Sequence, residues 1–260
     1  MEVVFLLAIA FFASVIGSIC GVGGGVFMKP VLDMFSLVSV STASFLSAMT
    51  VLAMTSYTTA KNLMSKNKVI AVHEVAPLAL GAAMGGVAGK YLFEQIKELL
   101  PYADKIGAVQ AVFLGVVALG ALVYTFSKSR IKTRHVQSQA ASVLIGLCLG
   151  IMSSFLGIGG GPIDLIVLLY FFSMDTKKAV QNSLFVILFS QAFSLVYMLL
   201  SGTVPEFEPL ALIFMIIGGI VGGMCGRGIS AKISNSTTDK LFIGLLALIV
   251  LISVYNFCKY

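Results

Sequence analysis

The sequence predicts an all-α integral membrane protein built from two inverted repeats, each a glycine-broken re-entrant helical hairpin plus three transmembrane helices. The first observation is composition: 58% of the residues are hydrophobic and 11% are charged, with a mean hydropathy of +1.03, against about 25% charged residues in a soluble domain. The second is a pair of glycine runs, beginning at Gly21 and Gly157, that interrupt apolar segments 136 residues apart. The third is the distribution of Lys and Arg, which gives the two halves opposite orientations.

The first glycine run, Gly21-Val22-Gly23-Gly24-Gly25, divides an apolar segment that is too long for one membrane span. As a helix, residues 3–35 would extend about 50 Å at 1.5 Å per residue, whereas a hydrocarbon core is about 30 Å thick. We expect this helix to break at the glycines and turn back. Residues 138–172 contain the second run, 157–161 followed by Pro162, and we expect the same there. Backbone outside a helix cannot face lipid, so both breaks are expected inside the protein.

Six further apolar segments complete the two repeats, three in each half. They cover residues 40–61, 71–92, 106–127, 179–200, 210–226 and 241–257. A strongly polar, basic stretch separates the third of these segments from the second half. We therefore place the first membrane repeat at 1–127, a cytoplasmic basic linker at 128–138 and the second membrane repeat at 139–260.

The positions of lysine and arginine decide between two topologies, because cytoplasmic loops carry an excess of both. If both long segments cross the membrane fully, 8 Lys and Arg residues lie inside and 8 outside, with Lys29 left out. If each long segment is a re-entrant hairpin, 12 lie inside and 4 outside, so the hairpin topology is preferred. Each half then has three full spans, an odd number, and the halves insert with opposite orientation. The multi-pass chain in the plasma (inner) membrane would have residues 61–68, 128–135, 173–178 and 227–240 in the cytoplasm and 202–208 outside.

Each glycine run is followed by a new helix whose first N–H groups would point into the membrane centre. Glycine permits positive φ and close backbone approach, and a helix N-terminus favours negative charge. The candidate substrate-binding glycines are Gly23, Gly24, Gly25, Gly159, Gly160 and Gly161. The alternative is that these glycines only allow tight helix packing. Duplication of the break in two over-long segments favours a binding site for a small anion.

The duplicated glycine runs, together with Pro30 and the helix starts Ala43…Ser47 and Ala179…Ser183, resemble the TauE/SafE family. The resemblance covers essentially the whole chain. It implies a membrane permease for sulfite, sulfonates or other small organosulfur or organic anions. The sequence departs from the family pattern at Phe45-Leu46, where Gly-Thr is usual, and at Ile166, which stands opposite Pro30. These departures leave the shape of the substrate open.

The same resemblance implies that Ser47, Asn182 and Ser183 face the site and offer neutral donors to anion oxygens. Interhelical hydrogen bonding is the alternative role for these side chains. Gln191 follows Asn182 by nine residues, lies on nearly the same helical face and is a further substrate-binding candidate.

Two charged residues, Lys29 and Asp164, fall in apolar segments, where a charge costs about 3 kcal/mol on insertion scales. The 136-residue offset sets them one residue apart on equivalent half-helices, so an approximate two-fold axis would bring them together. We predict that they form a salt bridge with a gating or coupling role. Independent snorkelling of each side chain toward the interface is the alternative.

The predicted function is secondary transport of a small anion, driven by a proton or by the membrane potential. The sequence contains no Gly-x-x-x-x-Gly-Lys-Ser/Thr nucleotide-binding motif, and no cofactor, metal or catalytic residue is expected. A passive anion channel is the first alternative. An intramembrane enzyme is the second, although the spans lack paired aspartates or a serine–histidine arrangement. The expected partners are the anion, the lipid bilayer, a proton or other coupling ion and a second copy of the chain, without nucleic acid.

Overall fold

The computed structural model describes residues 2–35, 37–65, 69–99, 103–158 and 160–259, and all regular secondary structure in these ranges is helical. The helices are α1 (Glu2–Cys20), α2 (Gly25–Met34), α3 (Val40–Leu63), α4 (Val72–Leu99), α5 (Ala103–Ser127), α6 (Gln139–Leu156), α7 (Pro162–Phe171), α8 (Thr176–Ser201), α9 (Pro209–Lys232) and α10 (Asn235–Lys259). A 3₁₀ turn, Lys128–Arg130, follows α5. The predicted all-α fold is confirmed.

Seven of the described helices are long and apolar enough to cross a membrane, namely α1, α4, α5, α6, α8, α9 and α10. Helix α3 has a comparable length of 24 residues but carries many serines and threonines. Thr50, Thr55 and Thr58 are buried, and each donates a hydrogen bond to the carbonyl four residues earlier. Because α3 packs against α2, α8 and α9, these three threonines lie inside the protein.

The first glycine run reverses the chain, so that α2 runs back along α1. A Cβ atom at Gly24 would lie 3.0 Å from the carbonyl carbon of Ala13, which places the start of α2 beside the middle of α1. The ring of Phe5 lies 5.4 Å from the ring of Phe35, centroid to centroid, so α1 begins where α2 ends. Gly21 and Gly23 have φ angles of 71° and 64°, which L side chains rarely adopt.

The second glycine run also returns the chain to its side of origin. The N–H groups of Arg134 and Val136, just before α6, donate to the carbonyls of Tyr170 and Phe171 at the end of α7, at 2.8 and 2.9 Å. The start of α6 and the end of α7 therefore lie on one side. Gly157, the counterpart of Gly21, has a φ angle of 65° and ends α6 in the left-handed conformation.

The two halves pack through two equivalent pairs of helices, each with one helix from each half: α4 lies against α6, and α9 lies against α1. On each pair, three glycines at four-residue spacing face backbone carbonyls so closely that a Cβ atom could not fit. The contacts are Gly81 with Val143, Gly85 with Leu147, Gly89 with Ile151, Gly218 with Leu7, Gly222 with Phe11 and Gly226 with Val15. Small residues are what close helix packing in membranes requires. The inverted orientation of the two repeats stays a prediction.

Loop contacts group the polar segments by side. Thr176, at the start of α8, donates to the Asp239 carboxylate at 3.0 Å, and Lys128 forms an ion pair with the same carboxylate. The linker and the starts of α8 and α10 therefore share one side. Thr42, at the start of α3, donates to the carbonyl of Glu206 at 2.9 Å, which places the α8–α9 loop beside the loop before α3.

Candidate functional site

The two glycine turns meet in the interior of the protein. Gly25 approaches Ile158 so closely that a Cβ atom would collide with the Ile158 carbonyl oxygen. Residues 21–25 of the first turn are buried, as are Gly160 and Gly161 of the second. Gly159 lies outside the described residues. The turns thus form one buried centre between the halves.

Ser47 and Ser183 each hold the glycine turn of the opposite half. The Ser47 hydroxyl donates to the Gly157 carbonyl at 3.3 Å, and the Ser183 hydroxyl donates to the Gly21 carbonyl. Both side chains are fully buried. The 136-residue offset relates the two bonds to each other, because Ser183 is the counterpart of Ser47 and Gly157 is the counterpart of Gly21. The hydroxyls thus make the interhelical hydrogen bonds given above as the alternative to substrate contact.

The Asn182 side chain forms hydrogen bonds with backbone groups. Its side-chain oxygen accepts a hydrogen bond from Ala71 N at 2.9 Å, and its amide nitrogen donates to the carbonyls of Lys178 at 2.8 Å and Val69 at 3.5 Å. This fully buried side chain fastens the segment before α4 to α8. In this conformation the Asn182 side chain positions that segment, and its contact with substrate stays a prediction.

The N-terminus of α2 presents backbone donors without acceptors. Gly21 and Val22 donate to the Gly17 carbonyl, and Phe27 and Met28 donate to the Gly24 carbonyl. Within the described part of the chain, the N–H groups of the four residues between them, Gly23, Gly24, Gly25 and Val26, have no acceptor. Buried N–H groups without a partner are rare in proteins. Together with the helix dipole, these four donors suit a small anion.

The N-terminus of α7 is already occupied by a carboxylate of the chain itself. Gly161 N donates to Asp164 Oδ2 at 2.9 Å, and Pro162 has no N–H group to offer. In the first half the counterpart of Asp164 is Met28, which cannot cap a helix. The two turns therefore differ: α2 has open donors, whereas the Asp164 side chain covers the start of α7.

The structure does not pair Lys29 with Asp164, the salt bridge that the repeat offset predicted. Lys29 Nζ lies 3.2 Å from Asp33 Oδ2 and donates to Gln110 Oε1 at 2.7 Å. The cause is local, since Asp33 stands one helical turn after Lys29. The Lys29 side chain does not snorkel either, because it is 4% exposed.

Lys29 also borders the second glycine turn. Its Cε atom would lie 3.5 Å from a Cβ atom at Gly157. Gln110, which accepts from Lys29, donates through Nε2 to the Phe155 carbonyl at 2.7 Å near the end of α6. Sequence reasoning missed Asp33 and Gln110; the four-residue spacing of Lys29 and Asp33 was the signal that could have revealed the first.

Gln191 lies apart from the glycine turns. It is buried and lines a small cavity between α3, α4 and α8 together with Lys90. Among the residues that the structure describes, the lining of this cavity includes none from either turn. Lys90 is buried on α4, with Nζ 5.5 Å from the centroid of the Phe93 ring.

A small apolar cluster of four buried side chains lies between α3 and α8 beside both turns. Its members are Val51, Met54, Leu184 and Ile187. A Cβ atom at Gly25 would lie 3.0 Å from Val51 Cγ2, and one at Gly160 would lie 2.5 Å from Ile187 Cδ1. Val51 and Ile187 are counterparts under the 136-residue offset. This cluster covers the centre with hydrocarbon, so the glycine turns are closed off in this conformation.

Comparison with known proteins gives a match at the level of a family. A family described as sulfite exporter TauE/SafE matches residues 6–253. The probable membrane transporter protein YunE of Bacillus subtilis (strain 168) is 23% identical over 277 residues, and the alignment covers 96% of each chain. No solved structure matches.

Proposed function

The chain belongs to the sulfite exporter TauE/SafE family of membrane transporters, and we propose that it is a secondary transporter that carries a small oxyanion, such as sulfite or a sulfonate, across the plasma membrane. The observation that carries the proposal is the set of four buried N–H groups without acceptors, those of Gly23, Gly24, Gly25 and Val26. Backbone donors hold an oxyanion without a permanent ion pair, so the ion can also be released.

The charges around the centre support an anion at α2 more than at α7. An anion at α2 would meet open donors and the positive end of the helix dipole. An anion at α7 would have to displace the Asp164 carboxylate from Gly161 N. We therefore place the substrate at Gly23–Val26, with Gly160 and Gly161 forming the opposite wall.

The exchanged contacts between halves support a carrier with alternating access. Inverted repeats that meet at a central site allow one half to rock against the other around a fixed substrate. The hydrogen bonds of Ser47 and Ser183 cross between the halves at this centre. In this proposal the two bonds and the apolar cluster on α3 and α8 rearrange when the site opens.

Uptake of labelled sulfite into proteoliposomes tests the proposed function. We expect initial rates that saturate with sulfite and fall when ethanesulfonate competes, with no uptake in protein-free liposomes. Single-channel currents of the reconstituted protein would instead indicate the passive pore. Failure of sulfite and of sulfonates to bind in a thermal-shift titration would contradict the proposal, since a ligand at 100 times its Kd stabilises a protein by about 2.7 kcal/mol.

A further inference from the structure

A second polar site lies beside the glycine centre, in a small internal cavity between α2, α5 and α10. Its polar lining consists of Lys29, Asp33, Gln110, Ser253 and Asn256. The cavity also touches Ile158 of the second glycine turn. The volume of the cavity is enough for about one particle of the size of a water molecule.

Three oxygen-bearing groups of this cavity lack hydrogen-bond partners. They are Asp33 Oδ1, Ser253 Oγ and Asn256 Oδ1. All three side chains are more than nine-tenths buried. The orientation of the Asn256 amide is fixed by its Nδ2, which donates to the Pro30 carbonyl at 3.0 Å. The amide oxygen Oδ1 is therefore the atom of this side chain that lacks a partner. Buried polar atoms without partners need an explanation such as a bound ion or water.

We propose that this cavity binds Na⁺, and that its binding is coupled to that of the transported anion. Carboxylate, amide and hydroxyl oxygens are ligands for hard cations. Na⁺ would take the three oxygens as ligands, and the Asp33 carboxylate, once released from Lys29, would supply the one negative charge that suits a monovalent ion.

Charge balance makes the coupling reciprocal. Lys29 and Asp33 neutralise each other in the empty protein. A cation on Asp33 releases Lys29, whose ammonium is then an uncompensated buried charge. Lys29 borders Gly157, so an anion at the glycine centre restores neutrality. Each ion is therefore bound more tightly when the other is present, which is the requirement for symport.

Lys29 remains the cationic partner of the Asp33 carboxylate when the other charged side chains near Asp33 are considered. Helices α1, α3 and α10 pack against α2, and on these helices the described charged side chain that reaches this end of α2 is Lys259. Its Nζ donates to the backbone carbonyls of Asp33 and Met34, at 3.3 and 2.8 Å. From α5, the neutral Gln110 approaches Lys29. Lys29 is therefore the cation that competes for the Asp33 carboxylate.

The coupling rests on the proposed anion transport, and thermal-shift titrations can separate the two. Sulfite affinity of the purified protein is measured at one fixed pH, in Na⁺ and with Na⁺ replaced by choline. We expect about tenfold tighter sulfite binding in Na⁺. In Asp33→Asn, which removes the carboxylate, sulfite affinity should not depend on Na⁺, whereas Asp175→Asn in an exposed loop should behave as wild type.

Transport gives the second readout. Wild-type proteoliposomes should concentrate sulfite against its gradient when an inward Na⁺ gradient is imposed, whereas Asp33→Asn should only equilibrate it. Ser253→Ala should weaken the Na⁺ dependence of sulfite binding, which also covers the case that Asp33→Asn does not fold. Sulfite binding that is equally tight under all cation conditions would overturn the coupling and leave the proposed function standing. Absence of sulfite binding throughout would overturn the proposed function and this coupling with it.

Discussion

Lys29 and Asp33 form an ion pair with 4% and 7% of their side chains exposed, and burial of this kind makes the two residues energetically dependent on each other. Removal of one partner from a buried pair typically costs about 3–5 kcal/mol, whereas replacement of both by apolar side chains is often close to neutral. We therefore expect Lys29→Met and Asp33→Leu each to lower the melting temperature strongly, and the double variant to recover most of the loss. A double-mutant cycle measures the coupling.

The control for that cycle is Asp164, which the sequence made the partner of Lys29. The effects of Lys29→Met and Asp164→Leu should add, since Asp164 is hydrogen bonded to Gly161 N and not to Lys29. Additive effects of Lys29→Met and Asp33→Leu would mean that the two charges do not interact in the folded protein.

At the residue scale, the sequence identified Lys29 and Asp164 as charges in apolar segments but did not identify their partners. The repeat offset related Lys29 to Asp164, yet a partner one turn away on the same helix needs no symmetry at all. Asn182 shows a similar limit. Its position near the turns could be predicted, but its amide forms hydrogen bonds with backbone groups of residues 69–71, which belong to a separate loop. Such contacts depend on tertiary structure and leave no trace in local spacing.

At the scale of the helical elements, glycine is required at some positions of the turns and only tolerated at others. A Cβ atom at Gly25 would collide with the Ile158 backbone, and Gly160 combines a φ of 129° with close contact to Ile187. We expect Gly25→Ala and Gly160→Ala to abolish most sulfite uptake and to destabilise the protein by about 1–3 kcal/mol, the usual cost of overpacking.

Two other alanine substitutions serve as matched controls for this prediction. Gly120 on α5 has no atom within 4 Å of its Cβ position, so Gly120→Ala should be neutral or stabilise the helix by about 0.5–1 kcal/mol. Gly161 has a φ of −147° and 3.6 Å of clearance, so Gly161→Ala should also be tolerated. Normal melting temperature and uptake in Gly25→Ala would show that the turns do not need their close approach.

The helix breaks themselves were predictable because hydrocarbon thickness is a hard limit on apolar length. Residues 3–35 exceeded it, and the chain leaves the helix at Gly21 and resumes it at Gly25. The sequence could not distinguish Gly160 from Gly161, since both look alike in a run of glycines. Their different tolerance comes from Ile187, a side chain of α8 that only the folded chain brings against the turn.

At the scale of the whole molecule, the pairing of α4 with α6 and of α9 with α1 means that neither half encloses its own glycine turn. Each turn is instead held by the other half, through Ser183 on Gly21 and Ser47 on Gly157. A movement between the halves would therefore change both turns at once. This linkage fits a carrier in which opening one access route closes the other.

The orientation of this molecule in the membrane gives a direct test. The linker and the starts of α8 and α10 share one side, and the α8–α9 loop approaches the loop before α3. Because Lys and Arg concentrate on the linker side, we expect that side to face the cytoplasm. Cysteines are introduced at the exposed positions Lys132, Lys178 and Glu206 in a variant without the four native cysteines.

An impermeant maleimide applied to intact cells should label Glu206→Cys and leave Lys132→Cys and Lys178→Cys unmodified. Inverted membrane vesicles should show the reverse pattern, which controls for poor reactivity of any one site. Lys178 decides the matter, because a second glycine-broken segment that crossed the membrane fully would carry residue 178 to the opposite side from residue 132. Labelling of Lys178→Cys but not Lys132→Cys from outside intact cells would contradict the re-entrant hairpin, and with it the inverted orientation of the two halves.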